Sequence, residues 1–332
     1  MSRVVVTGGA GYIGSHAVRA LVDAGHAVAV LDDLSAGHAE ALPKGVPLVR
    51  AAIHDRAAVH KLLVDHRADA VMHFAARLKV GESVQQPIEY YKNNVTGTLS
   101  VLEAMRDAGV KRFVFSSTCA VYGEPIETPI RETHPTAPIN AYGQTKLAIE
   151  HALPHYERAW GLQSIRLRYF NAAGADPGGE LGEDHYPEIH AIPRAIEAAT
   201  GGPEFKIMGT DYPTPDGTCL RDYIHVTDLA DAHVRALRRL EAGGPSQSYN
   251  LGTERPTSVR EIVAAVERVS GRRVASSVAP RRPGDPAVLY ASAQRAREEL
   301  GWVPARPAID AIVADAWRWH QRGRQAATPG AH

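Results

Sequence analysis

With 332 residues, 44% of them apolar and 22% charged, the chain is long enough for one large domain or two interlocked ones and has an ordinary globular composition. Equal numbers of basic and acidic residues leave a formal net charge of zero, which argues against a nucleic-acid partner or an anionic membrane surface. Two cysteines, Cys119 and Cys219, cannot build a disulfide framework, and no apolar run approaches the roughly 20 residues that cross a bilayer, so a cytoplasmic protein is expected.

Arg3-Val4-Val5-Val6-Thr7 is a short β-branched run with the composition of a buried strand. It leads into Gly8-Gly9-Ala10-Gly11-Tyr12-Ile13-Gly14 and then into a helical pattern over 12–24. Strand, glycine turn and helix open a dinucleotide-binding βαβ unit. Gly8, Gly11 and Gly14 have separate tasks there: a tight turn, close approach of backbone to a pyrophosphate, and contact between helix and strand. Backbone N–H groups at the helix start face the phosphates, helped by the helix dipole. The next strand, 27–32, ends on Asp32, placed to accept hydrogen bonds from adenosine ribose hydroxyls and to repel a 2′-phosphate. The expected cofactor is therefore NAD.

Further strands are predicted at 47–50, 70–74, 111–117, 163–170 and 247–251. Helices are predicted at 55–66, 88–108, 141–160, 189–200, 227–242, 258–270 and 292–299. This alternation predicts an α/β fold, a Rossmann-type doubly wound parallel sheet. From about residue 172 the texture changes to loops rich in Gly, Pro and acid, which predicts a smaller C-terminal α/β substrate lobe laid over the carboxyl ends of the strands. Because Tyr249-Asn250-Leu251-Gly252 reads as a late strand of the main sheet, the division is expected to be discontinuous. Residues 1–171 and 220–252 would form the NAD-binding domain, 172–219 and 253–321 the substrate lobe, and 322–332 a disordered tail.

The strand ending Ser116-Ser117-Thr118 brings hydroxyls to its carboxyl end, and Asn140-Ala141-Tyr142-Gly143-Gln144-Thr145-Lys146 follows. Asn140 is a natural N-cap, and Tyr142 and Lys146, four apart, share one helix face. A phenol titrates near 10, so making Tyr142 a base at neutral pH takes about 4 kcal/mol of electrostatic help. A neighbouring ammonium and the positive nicotinamide ring both favour the phenolate. With Thr118 bonding the same oxygen, the set removes a proton from an alcohol while hydride leaves its carbon. No His-Glu-x-x-His or Cys/His cluster appears, and no metal site is expected.

These motifs resemble the extended short-chain dehydrogenase/reductases. Longer stretches narrow the likeness: His73-Phe74-Ala75-Ala76, Val80-Gly81-Glu82-Ser83, Tyr90-Tyr91-Lys92-Asn93-Asn94, Arg168-Tyr169-Phe170-Asn171, Arg221-Asp222-Tyr223-Ile224-His225-Val226 and Arg281-Arg282-Pro283-Gly284-Asp285 are similar to the UDP-glucose 4-epimerase family, from Arg3 to about Trp319. The resemblance implies that Tyr142 takes the proton from the 4-hydroxyl of a UDP-hexose, that the 4-keto sugar turns over, and that hydride returns to its other face, interconverting UDP-glucose and UDP-galactose. It implies that Tyr12, Ile13, Ile53, Phe74, Ala75, Ala76, Asn94, Ser116 and Tyr169 hold the cofactor beside the glycines, Asp32, Tyr142 and Lys146. Thr118, Asn171, His190, Arg221, Arg282, Asp285 and Leu289 would hold the substrate, and the family implies a homodimer joined through the helices near 88–108 and 141–160.

Departures from the family pattern carry their own expectations. Ala52 stands where many relatives have an adenine-contacting Asp, leaving His54 or Asp55 to contribute; Leu78 replaces a lysine, with Lys79 one place later. Leu289 aligns with the position where a large Tyr confines the pocket to glucose and galactose and a small residue admits N-acetyl sugars, so main activity on the plain sugars and weak turnover of N-acetyl sugars are expected. Pro154 is expected to bend its helix. A 4,6-dehydratase would need an acid pair after Thr118, where this chain has Cys119-Ala120. A pentose-nucleotide or UDP-N-acetylglucosamine 4-epimerase is the alternative within the family, and intact Tyr142 and Lys146 argue against an NAD sensor without chemistry.

Overall fold

The computed structural model describes residues 1–282 and 285–327, the side chains of 324–327 apart. The first half of the chain comprises β1 (Arg3–Thr7), α1 (Tyr12–Asp23), β2 (Ala27–Asp32), β3 (Leu48–Arg50), α2 (Arg56–Asp65), β4 (Ala70–His73), α3 (Val80–Gln85), α4 (Pro87–Tyr90), α5 (Thr98–Asp107), β5 (Arg112–Thr118) and α6 (Ala141–Trp160). There follow β6 (Gln163–Tyr169), β7 (Asn171–Ala173), α7 (Ala191–Ala199), β8 (Phe205–Met208), β9 (Leu220–Arg221), β10 (Tyr223–His225), α8 (Val226–Glu241) and β11 (Gln247–Leu251). The last elements are β12 (Thr257–Ser258), α9 (Val259–Ser270), β13 (Ser276–Ala279), β14 (Val288–Leu289), α10 (Gln294–Leu300) and α11 (Ile309–Ala327).

Seven strands form one sheet in the order β11-β6-β5-β4-β1-β2-β3, all paired in parallel. The order reverses between β1 and β4, and a sheet wound outward from such a point binds ligands at the carboxyl ends beside it. Parallel strands are covered on both faces, which is why β1 and β4 are continuous apolar runs rather than alternating ones. Val4, Val5 and Val6 are wholly buried, each contributing roughly 1.5–3 kcal/mol. Val4 and Val6 join the cluster under α1 and α8, and Val5 joins the opposite one under α2 and α5.

A third apolar cluster lies apart from the sheet, made by α7, α9 and α11 with β8. Three small sheets sit with it: β7 with β10, β8 with β13, and β9 between β12 and β14. Their strands of two to four residues are too short to show in the sequence pattern and exist because distant segments pair.

Two local expectations need correction. The expected disordered tail is helical as far as Ala327, because Ile312, Val313 and Ala316 of α11 are buried in the third cluster; residues 328–332 lie outside those described. The single helix expected over 88–108 is interrupted by a π-helical segment, Tyr91–Gly97, whose wider turn brings Asn94 inward. Pro154 lies inside α6, which continues from Ala141 to Trp160. Among the described residues, no helix is long and apolar enough to cross a membrane.

Candidate active site

Five strand ends meet beside the switch in strand order. β1 delivers the glycine loop, β2 Asp32, β4 Phe74 and Ala75, β5 Ser116 to Thr118, and β6 Tyr169. Phe74 and Ala75 donate backbone N–H bonds to the Thr7 carbonyl, at 2.8 and 3.1 Å, which fastens the turn after β4 against the glycine loop.

The three glycines differ in what surrounds them. Gly8 has φ +73°, and a Cβ there would stand 2.4 Å from the Ala75 nitrogen. A Cβ on Gly14 would stand 2.1 Å from the Gly8 carbonyl oxygen, so helix and turn touch through it. At Gly11 a Cβ would meet only that oxygen, at 3.5 Å. The loop therefore offers bare backbone at the start of α1, and a dinucleotide pyrophosphate fits that cradle. Asp32 is 8% exposed and holds the loop's shape, its Oδ2 accepting from Ala10 N and its Oδ1 from Leu34 N, both at 2.9 Å. Each oxygen keeps a lone pair for a ribose hydroxyl.

Asn94 is 2% exposed and works as a brace. Its Oδ1 accepts from Arg77 N at 2.8 Å, while its Nδ2 donates to Arg77 O at 3.0 Å and to Thr145 Oγ1 at 3.1 Å, tying the segment after β4 to α6. Ile53 is buried against Gly97, where a Cβ would stand 2.7 Å from Ile53 Cδ1. Ile13, Phe74 and Ala75 pack at the edges of the two main clusters, and Ala76 is half-buried. The phenol of Tyr12 donates to Gly174 O at 2.6 Å, joining α1 to the segment after β7. Asp55, considered above for adenine, caps α2 by accepting from Ala58 N at 3.0 Å.

Asn140 caps α6, accepting from Gly143 N at 2.8 Å. That fixes the first turns, on which Tyr142 and Lys146 stand. Lys146 is 4% exposed; its Nζ donates to Ser116 O at 2.8 Å and lies 4.9 Å from the centre of the Phe115 ring. Burial pulls this ammonium down to about 7, against an opposing pull from Glu150. The Tyr142 phenol is pushed well above its ordinary range, first by burial and then by Tyr169, while the Thr118 hydroxyl acts in the opposite direction. Tyr169 is pushed up to about 12 by burial, and its hydroxyl is engaged with Ser116 Oγ at 2.7 Å. Burial thus works against charge on both groups, and the second positive charge expected beside the phenol, the nicotinamide ring, comes only with bound NAD.

The lowered Lys146 carries a prediction. Between about 7 and 10.5 the unfolded lysine holds a proton that the folded one has lost, so stability rises with pH across that window, and the full penalty applies below it. Lys146→Met should therefore raise the melting temperature at pH 6.5, by ~1 kcal/mol of stability, with the gain shrinking toward pH 9.5. Calorimetry of both proteins across that range checks it; a difference that ignores pH refutes it.

A second group gathers where β9, β14 and the end of β5 approach. Arg221 is 9% exposed, and its guanidinium donates to Asp285 Oδ1 at 3.0 Å, Pro286 O at 2.8 Å and Leu220 O at 2.9 Å. Leu289 pairs with Arg221 in register and is half-buried, with one side on the main cluster. Asn171 Nδ2 donates to Asp222 O at 3.0 Å, setting β7 beside β10. Arg282 is exposed. Cys119 joins the two groups: its thiol lies within electrostatic reach of Arg221 and of Tyr142, and burial pushes it up to about 12.

His190 is engaged by its own loop. Its Nδ1 contacts Glu183 closely and stands 3.5 Å from Glu188 Oε1. Burial opposes its protonation, but these two carboxylates prevail and push it up to about 10. Any contact with substrate is left to Nε2. The sequence reading expected no metal site, yet Glu183, His185, Glu188 and His190 converge in one loop. In the sequence they are spaced Glu-x-His-x-x-Glu-x-His.

The chain matches the family described as the NAD dependent epimerase/dehydratase family over residues 4–252. It is 52% identical to the UDP-glucose 4-epimerase of Azospirillum brasilense, over 99% of this chain and 96% of the relative. The crystal structure of UDP-glucose 4-epimerase from Brucella ovis in complex with NAD superposes with a TM-score of 0.93 at 48% identity, covering 96% of this chain and 98% of that one. The enzyme from Bifidobacterium longum, solved in complex with NAD+ and UDP, superposes with a TM-score of 0.91 at 38% identity, covering 97% and 98%.

Proposed function

The chain belongs to the NAD dependent epimerase/dehydratase family, and from that premise and the site's geometry we infer that its reaction is inversion at C4 of a UDP-hexose. It interconverts UDP-glucose and UDP-galactose with NAD as cofactor. The observation that carries this reading is the meeting of the Tyr142 phenol and the Thr118 hydroxyl at the strand ends that also bear the glycine cradle.

Bound NAD supplies a hydride acceptor for C4 and, when oxidised, a positive charge beside the phenol. The chain's residues do the rest. Tyr142 accepts the proton of the 4-hydroxyl, and Thr118 bonds the same oxygen and orients it. Lys146, anchored on Ser116 O, fixes the base of the pocket and lends positive charge. Arg221 and Arg282 hold the diphosphate, Asp285 and Asn171 position the nucleoside, and the anchored UDP leaves the sugar free to turn. Elimination of water, as in a dehydratase, lacks its acid: the residue after Thr118 is a cysteine pushed up to about 12, followed by alanine. The purified protein should convert UDP-galactose to UDP-glucose, followed by NMR, with no build-up of reduced nicotinamide. A demand for stoichiometric reductant would refute the reading.

We assign residues 172–219 and 253–321, with the third apolar cluster, to the lobe that closes over the sugar nucleotide. Leu289 then forms a wall of the sugar pocket. Leu289→Ala should raise the ratio of kcat/KM for UDP-N-acetylglucosamine over UDP-glucose by about tenfold or more, since one or more methylenes of space decide the fit. An unchanged ratio would place Leu289 in the core instead. Val84 and Ile88, 65% and 67% exposed on α3 and α4, belong on this reading to a homodimer contact, which light scattering can test. Free Cys119 and Cys219 fit a reducing cytoplasm.

A further inference from the structure

The loop entering α7 reads Glu183-Asp184-His185-Tyr186-Pro187-Glu188-Ile189-His190. Four of its side chains turn to one point: one donor atom from each of Glu183, His185, Glu188 and His190 lies within 4.8 Å of all the others. Glu183 Oε1 stands 3.1 Å from His185 Nδ1. In a tetrahedral zinc site, with bonds of about 2.0–2.1 Å, neighbouring donors lie about 3.4 Å apart. Two imidazoles and two carboxylates make a donor set suited to a borderline divalent ion.

Charge points the same way. The Glu183 and Glu188 side chains are only 4% and 7% exposed. Among the described residues, the ion pairs these carboxylates make are with His185 and His190, not with Lys or Arg. One protonated imidazole balances one carboxylate; a divalent ion on two neutral imidazoles balances both. The loop is also held in place from outside. Trp319 Nε1 donates to Glu183 O at 2.9 Å, and a Cβ on Gly182 would stand 2.3 Å from Trp319 Cγ, so the loop lies flush on α11. Glu188 Oε1 accepts from Ile189 N at 2.6 Å and His190 N at 2.8 Å, which fixes that carboxylate and leaves its other oxygen for a ligand. The His185 ring stands edge-on to Tyr12, 6.3 Å between centroids, so the cluster faces the start of α1.

We propose that Glu183, His185, Glu188 and His190 bind one zinc-class divalent cation, which closes the loop before α7 on itself where it lies against α11 and faces the start of α1. The ion is structural, and the inference stands independently of the epimerase reading. The test uses full-length, untagged protein stripped by chelator dialysis. Zn²⁺ is titrated in competition with a chromophoric chelator, and Co²⁺ is titrated as a spectroscopic probe. One equivalent per chain is expected, with the visible d–d bands of four-coordinate Co²⁺ and a melting temperature raised by Zn²⁺. His185→Ala and Glu183→Gln should each weaken Zn²⁺ binding at least thirtyfold, and His155→Ala, exposed on α6, should bind as the parent does. Zn²⁺ retention equal in the parent and the Glu183→Gln/His185→Ala double variant overturns the proposal. Should those variants fail to fold, the parent alone decides: no Zn²⁺-dependent rise in melting temperature and no four-coordinate Co²⁺ spectrum overturn it equally.

Discussion

Tyr142→Phe should lower kcat for UDP-galactose by about a thousandfold, the middle of the range that a positioned acid–base group contributes, while UDP and NAD binding change by less than about threefold. The substitution deletes one oxygen and keeps the ring that packs at the start of α6. Two phenols stand close together here, and the structure separates their roles. The Tyr169 hydroxyl is engaged with Ser116 Oγ at 2.7 Å, whereas the Tyr142 hydroxyl faces Thr118. Removing the Tyr169 oxygen should therefore cost less, chiefly in the placement of Ser116.

The raised Tyr142 and the Lys146 drawn down to about 7 make this prediction sharper. A phenol held neutral by burial is a poor base, so proton removal depends on positive charge gathered around it when the site fills. Lys146→Met should then lower kcat without abolishing it, and should shift the acid limb of the kcat–pH profile upward, because one of the two positive charges is gone. Single-turnover and steady-state rates on both variants, with dissociation constants for UDP measured by calorimetry, test the pair. A Tyr142→Phe enzyme keeping a tenth of the parent's kcat would remove Tyr142 from the chemistry.

How much of this was legible in the sequence varied with the kind of residue. The main sheet showed because its central strands are short buried apolar runs between helical stretches, and the glycine cradle showed because Gly8 and Gly14 leave no room for a Cβ. Asn140 and the Tyr142–Lys146 pair were legible because caps and four-residue spacing act within one or two turns of helix. α11 carries the same 3.6-residue pattern in Ile309, Ile312, Val313 and Ala316, but the polar Arg and Gln residues after Trp319 masked it. The role of Asn94 was hidden for another reason. Its place in a binding motif was plain, but the π-helical turn that lets it grip Arg77 and Thr145 depends on groups far along the chain. β9, β12 and β14 were hidden likewise, since a two-residue strand has no periodicity to read. The Glu183–His190 loop fell between these cases: its donors are adjacent in sequence, but only the fold shows that they converge.

Arg168→Ala should cost 3–5 kcal/mol, seen as a fall in melting temperature of roughly 5–15 °C, the largest loss expected of any single substitution considered. Arg168 and Glu150 are 8% and 6% exposed, and the guanidinium Nε lies 3.0 Å from both Glu150 oxygens. Burial alone would lower Arg168, but the carboxylate more than reverses this and keeps it charged. Around the pair, Ser117 Oγ donates to Glu150 at 2.5 Å, Arg168 Nη1 donates to the Tyr122 hydroxyl at 2.9 Å, and that hydroxyl donates to Asn250 Oδ1 at 2.6 Å. One charged pair thus ties β5, α6, β6 and β11 together. Arg168→Ala leaves the carboxylate buried without its cation, whereas Glu150→Leu/Arg168→Met removes both charges and should recover most of the loss. Activity should not follow stability in that rescue. Ser117 lies between Ser116 and Thr118, and Glu150 stands one turn beyond Lys146 and favours its ammonium. The apolar double variant should melt near the parent's temperature yet turn over more slowly, with its Lys146 drawn still lower. If the double variant regained full kcat, the network would serve stability alone, and the positioning of the strand-end hydroxyls would have to be sought in β5 itself.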